Sequence, residues 1–166
     1  MKKRQSKVRF IAQSAMIAAL YILLTTVAHL FGLDSGVIQI RISEALVALL
    51  FFTPAAIPGL TIGCLLSNIL SGCLILDILF GTLATLIGCV LGYLLRKYKY
   101  AVLIPNIISN TIIVPFVLKY AYSFPGSLWY FMITVGLGEV LSCAVLGAFL
   151  LKALEKQGKY IFESTN

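Results

Sequence analysis

Apolar stretches of bilayer-spanning length follow one another along nearly all of this 166-residue chain, and they decide what it can fold into. A helix needs about 20 residues to cross a hydrocarbon core of about 30 Å. The runs break at Gly32 to Gly36, Thr53 to Pro58, Ser71 to Cys73, Arg96 to Tyr100 and Tyr120 to Gly126. Six segments result, roughly 8–31, 37–53, 55–71, 74–95, 100–119 and 127–152. With 60% hydrophobic residues, 11% charged residues and a mean hydropathy of +1.01, no ordinary soluble domain fits. The expected fold is an all-α membrane protein: six transmembrane helices in one bundle, forming a single domain over 1–166.

The net charge of +7 is explained by topology. Lys and Arg cluster at Lys2, Lys3, Arg4, Lys7 and Arg9, at Arg96, Lys97 and Lys99, and at Lys152, Lys156 and Lys159. Placing both termini in the cytoplasm puts all of them inside and leaves only Arg41 and Lys119 elsewhere, as the positive-inside rule requires. Residues 1–7 and 153–166 then form cytoplasmic tails in a multi-pass protein of the cell membrane. No aromatic-interleaved basic patch accompanies the charge, so nucleic acid is not an expected partner. The basic start and apolar run imitate a signal peptide, yet the run from Val8 to Phe31 is too long for one and ends in no small-residue cleavage site. Cys64, Cys73, Cys89 and Cys143 have neither CxxC spacing nor nearby histidines and read as small buried hydrophobes.

The second segment is unusual. Ile38-Gln39-Ile40-Arg41-Ile42-Ser43 alternates apolar and polar with a period of two, which predicts extended backbone before a short second helix, with Ser43 as its N-cap. Non-helical backbone at membrane depth must be shielded by protein or line a cavity. A binding cavity is therefore expected in the outer half of the bundle, with Arg41 and Glu44 at its wall. Small residues recur at helical spacing in Gly59-xxx-Gly63, Gly88-xxx-Gly92 and Ala15-xxx-Ala19, where another helix can approach closely. The glycine pairs read as internal packing. Ala15 and Ala19 lie on a first helix almost free of pocket-type residues and suit an external partner helix.

Four ionisable residues, Arg41, Glu44, Asp77 and Glu139, fall inside the apolar segments, where a charge costs roughly 2.5 to 3.5 kcal/mol on insertion scales. Such groups mark function in membranes. Asn68, and Asn106 and Asn110 sharing one face, join them, so polar groups from five helices converge on the middle and outer half. Bland roles exist for some: a local Arg41 and Glu44 salt bridge, or Asp77 as a helix cap. Three acids against one arginine leave an excess of negative charge that favours a cationic ligand. A carboxylate also accepts two hydrogen bonds from an amidine-like edge such as that of guanine. Trp129, with Tyr122 and Phe124 before it, can stack on a planar ligand or belong to the interfacial aromatic belt. No HExxH, nucleotide-binding glycine loop or paired-aspartate motif is present, so neither catalysis, nor a cofactor, nor a metal site is expected. Uphill transport would need energy from an ion or another protein.

Ile38-Gln39-Ile40-Arg41-Ile42-Ser43-Glu44-Ala45-Leu46, then Thr53-Pro54-Ala55-Ala56-Ile57-Pro58-Gly59-Leu60, then Asp77-Ile78-Leu79-Phe80-Gly81-Thr82-Leu83-Ala84-Thr85-Leu86, appear in order. With these motifs the chain resembles the QueT-type queuosine-precursor transport subunits, substrate-binding S components of energy-coupling factor (ECF) transporters. The resemblance implies a subunit that captures a vitamin-like molecule outside and topples within an ATP-driven complex. The implied partners are a transmembrane coupling protein, docked on the Ala15 and Ala19 face, and two ATPases. The implied ligand is a deazaguanine precursor such as aminomethyl-deazaguanine, or queuine. Glu139 or Glu44 would read the guanine edge, Asp77 or the other glutamate would take the ammonium, Trp129 would stack, and Arg41 would orient the ligand or close the entry. Against this stands a stand-alone proton- or ion-coupled carrier, in which Glu44 and Glu139 carry protons.

Overall fold

The computed structural model describes residues 2–33 and 39–155, the side chains of 2–5 excepted. Gly36, Ile38, Lys156 and Lys159 lie outside the described residues, as do the side chains of Lys2, Lys3 and Arg4. All regular structure among the described residues is helical. It comprises α1 (Lys2–Leu30), a 3₁₀ helix (Ile42–Phe51), α2 (Ala56–Leu70), α3 (Ile75–Leu94), α4 (Ile104–Tyr120), α5 (Leu128–Glu139) and α6 (Gly147–Leu154). A π-helical stretch, Val140–Leu146, joins α5 and α6 into one rod, so the helical segments fall where the hydropathy places them. Ser6–Leu30, Ile75–Leu94, Ala101–Tyr120 and Leu128–Leu154 are long and apolar enough to cross a membrane.

The second segment turns helical sooner than its alternation predicts. Gln39 to Arg41 are non-helical, with Arg41 extended at φ −98° and ψ 91°, and the 3₁₀ helix starts at Ile42. Ser43 is therefore not the N-cap. It sits inside the helix, where its Oγ accepts a hydrogen bond from Thr25 Oγ1 at 2.9 Å. Every residue from Ser43 to Leu50 is buried, so this helix is enclosed on all sides, and burial overrides the local period-two signal. Its apolar side chains pack against Ile17, Leu60, Cys89, Leu103, Cys143 and Leu151. At about 2.0 Å per residue the 3₁₀ winding stretches ten residues over about 20 Å, where an α-helix would reach about 15 Å.

Close helix approach is built on the glycine pairs. A Cβ on Gly59 would meet Ile17 Cβ at 2.8 Å, and one on Gly63 would come within 3.2 Å of Ala18 Cα, so α1 lies directly on α2. Gly88 and Gly92 do the same for α3, against Asn106 and against the Val102 carbonyl. Gly72, at φ +69°, supplies the left-handed turn that ends α2, with Cys73 N–H donating to the Asn68 carbonyl at 3.1 Å. Lys99 Nζ reaches Glu155 at 2.7 Å, an exposed pair that adds little stability. It does bring the α3–α4 link beside the end of α6, so Lys99 and Lys152 share one end of the bundle.

Gly88→Ala forces α3 and α4 apart, because the new Cβ falls 2.6 Å from Asn106 Cα and backbone cannot rotate away. The expected loss is about 1–3 kcal/mol, read as a lower thermal midpoint of the purified protein. Gly136→Ala, whose Cβ meets only the Thr111 side chain at 3.3 Å, is expected to cost clearly less. Equal losses would sink this account of the α3–α4 contact.

A candidate substrate site built on buried carboxylates

Two polar groups occupy the interior. The deeper one centres on Glu44, which is fully buried. Tyr21 O–H donates to its Oε1, Asn106 Nδ2 donates to its Oε2 at 2.8 Å, and the Cys143 thiol lies 3.4 Å from its backbone carbonyl. Glu139 approaches from the end of α5, with the Cys143 thiol 3.7 Å from its Oε2. One donor atom from each of Glu44, Glu139 and Cys143 falls within 4.8 Å of the others. At that spacing two ionised carboxylates repel, and a cation, a proton or a hydrogen-bond donor between them is favoured. Asn110, one turn beyond Asn106 on α4, turns its amide toward Glu139.

Glu139 stands at the middle of the Leu128–Leu154 rod, and the Gln39 carbonyl packs against Gly138 beside it. Gly138 is required there, since a Cβ would collide with the Gln39 carbonyl.

The shallower group centres on Asp77 in the first turn of α3. The N-cap of α3 is Leu74, with no side-chain cap bond, so Asp77 does not cap the helix. Its Oδ2 accepts from Tyr122 O–H at 3.0 Å, and Tyr122 in turn accepts from the Leu74 N–H at 3.2 Å. Burial first, and the Asp77 charge with it, pushes the Tyr122 phenol up, so it remains a donor at any physiological pH. Asn68 and Asp77 together flank Gly81, at 3.2 and 3.4 Å from where its Cβ would be. Arg41, half-buried, acts electrostatically on Asp77 and Glu44 alike. Among the described residues no ion pair joins it to Glu44, so the local salt bridge is not formed.

Arg41, Glu44, Asn68, Asp77, Asn110 and Glu139 are thus brought into two linked groups. Trp129 is not among them: it is 76% exposed near the start of α5, whereas Tyr122, stacked on Phe124 at 5.7 Å, is the aromatic beside Asp77. Ala15 and Ala19 face outward on α1, while Ser14 and Ala18 face α2. Sequence reasoning missed Tyr21 and the polar role of Cys143. Each carried a signal: Tyr21 lies mid-segment rather than in an interfacial belt, with Thr25 four residues on, and Cys143 is four residues after Glu139.

Long apolar helices around buried charged and amide side chains mark a multi-pass membrane protein. The profile of the QueT transporter family matches residues 11–156, and the chain belongs to that family. That family is described as one of transporters. Over 92 residues the chain is 41% identical to the queuosine precursor transporter QueT of Lactococcus lactis subsp. cremoris (strain MG1363). That alignment covers 55% of this chain and 54% of the relative, so the chain spans about half the relative's length. No solved structure matches it.

Removing the Tyr21 hydroxyl leaves a buried carboxylate short of a donor. Tyr21→Phe is expected to lower stability by about 1.5–3 kcal/mol, and its effect is expected to shrink when Glu44 is already Gln. Additive losses in this double-mutant cycle, measured by thermal unfolding, would show that the two residues do not interact.

Proposed function

We propose that the protein is the substrate-binding membrane subunit of an ECF-type ABC importer and takes up a queuosine precursor. It crosses the membrane six times with both termini cytoplasmic. The substrate is a deazaguanine, such as aminomethyl-deazaguanine, or queuine. The observation that carries this reading is the pairing of Glu44 and Glu139, with Asn110 beside them, at the centre of an otherwise apolar bundle in a QueT-family chain. A ring rich in N–H donors suits carboxylates with hydrogen-bonding capacity to spare. An ammonium suits Asp77 with Asn68, and the aromatic pair Tyr122 and Phe124 offers a stacking surface there. Arg41 stands between the two groups, where it orients the substrate and limits net negative charge. Trp129 belongs to the lipid-facing belt.

The chain carries no Walker motif, so ATP is hydrolysed by partners: a transmembrane coupling protein and two ATPases. The outward small-residue face at Ala15 and Ala19 is the docking surface for the coupling protein. One observation favours a second reading, a proton-coupled carrier: Glu44 and Glu139 oxygens lie within 4.8 Å of each other, where protonating one acid relieves their repulsion. Uptake by proteoliposomes holding this chain alone decides between them, because an ion-coupled carrier works without an ATPase.

The substrate is tested by mass spectrometry of ligand co-purifying with the protein and by thermal shifts with deazaguanines against riboflavin and thiamine. Deazaguanines alone are expected to stabilise it. Glu139→Gln and Glu44→Gln are each expected to weaken binding by about tenfold or more, the equivalent of one charge-assisted hydrogen bond. Binding that survives both substitutions unchanged removes the carboxylates from the site.

A further inference from the structure

Glu44 and Glu139 differ in what the protein leaves them free to do. Both Glu44 oxygens are engaged, Oε1 by Tyr21 and Oε2 by Asn106. Among the described residues the Glu139 side chain receives only the Cys143 thiol, a weak donor, at 3.7 Å. Asn110 is 2% exposed and its Nδ2 has no hydrogen-bond partner; Asn106, one turn before it, lies 3.3 Å from Cys143, one turn after Glu139, and this register sets Asn110 beside Glu139. Folded proteins rarely leave a buried amide N–H unpaired, since it costs about 1–3 kcal/mol. An open donor therefore stands next to a carboxylate with open acceptor sites.

Side by side they present a donor followed by two acceptors. The complementary ligand edge is an acceptor followed by two donors, as in a lactam whose carbonyl, ring N–H and exocyclic amine lie in a row. We propose that Asn110 and Glu139 together read this edge. Asn110 Nδ2 donates to the lactam carbonyl, and the Glu139 carboxylate accepts the ring N–H and the amine as a bidentate pair. Glu44 is a positioning residue, locked by Tyr21 and Asn106, whose nearby oxygens bias Glu139 toward the ligand's donors. This rests on the deazaguanine reading and deepens it, for it selects guanine-like over diamino- or adenine-like rings and gives the amide a role that charge alone does not supply.

The test is the ratio of Kd values for three ligands on the full chain in nanodiscs: a deazaguanine, its diamino counterpart with an amine replacing the carbonyl, and the analogue lacking the exocyclic amine. The wild type is expected to prefer the deazaguanine over the diamino compound by about 100-fold or more, because two donors would face each other at Asn110 and the ring nitrogen, now without its proton, would face the Glu139 carboxylate. Asn110→Asp replaces that donor with an acceptor and is expected to narrow or reverse the preference, and Asn110→Ala to narrow it. Glu139→Gln is expected to bring the deazaguanine and the amine-lacking analogue to within a few-fold of each other. Each ratio compares ligands on one variant, so a general loss of folding does not imitate the result. Unchanged ratios in both Asn110 variants overturn the edge assignment while leaving a deazaguanine transporter standing. A wild type that binds none of the three overturns both readings.

Discussion

The Glu44 carboxylate is the interaction on which the interior depends. A charge in the middle of an apolar bundle is tolerated only with its hydrogen bonds made, and Glu44 obtains them from two separate elements. Tyr21 ties it to α1 and Asn106 ties it to α4, while Cys143 touches its backbone from the π-helical stretch. Four parts of the chain are thereby held around one side chain. The remaining acid at this level, Glu139, is left with capacity that the protein itself does not consume.

Departures from α-helical geometry gather at the same place. The 3₁₀ helix begins two residues before Glu44, and the π-helical stretch begins one residue after Glu139. Long 3₁₀ runs and π-helical turns are uncommon and recur at functional sites, because each redirects side chains that regular winding would aim elsewhere. Here the 3₁₀ helix carries Glu44 and the apolar run from Ala45 to Leu50 through the bundle, and the π stretch sets Cys143 against both acids. Among the half-buried non-helical residues just before the 3₁₀ helix, Gln39 lies on Gly138.

Small residues do two different jobs. Gly59, Gly63, Gly88 and Gly92 are consumed by internal packing, where backbone or Cβ atoms of the next helix fill the space a side chain would need. Ala15 and Ala19 are turned outward by that same packing, since α1 spends Ser14 and Ala18 on α2. One helix thus carries a hydrogen bond to the site on its inner side and an open small-residue face on its outer side. Tyr21 connects α1 directly to Glu44.

The amino-acid sequence by itself determined the helical segments and their breaks, because the cost of exposing backbone to hydrocarbon leaves one local solution for long apolar runs. It also marked Arg41, Glu44, Asn68, Asp77, Asn110 and Glu139, since polar groups in such runs stand out without any three-dimensional information. Tertiary structure alone decided their grouping. Glu44 joins Glu139, and Asp77 joins Tyr122 in a separate group, because different helices bring these residues together. Ser43 became an interior residue, Trp129 an exposed one and Tyr21 a ligand of Glu44 for the same reason. Burial on all sides rewound the second segment, and no local pattern records which neighbours will do the burying.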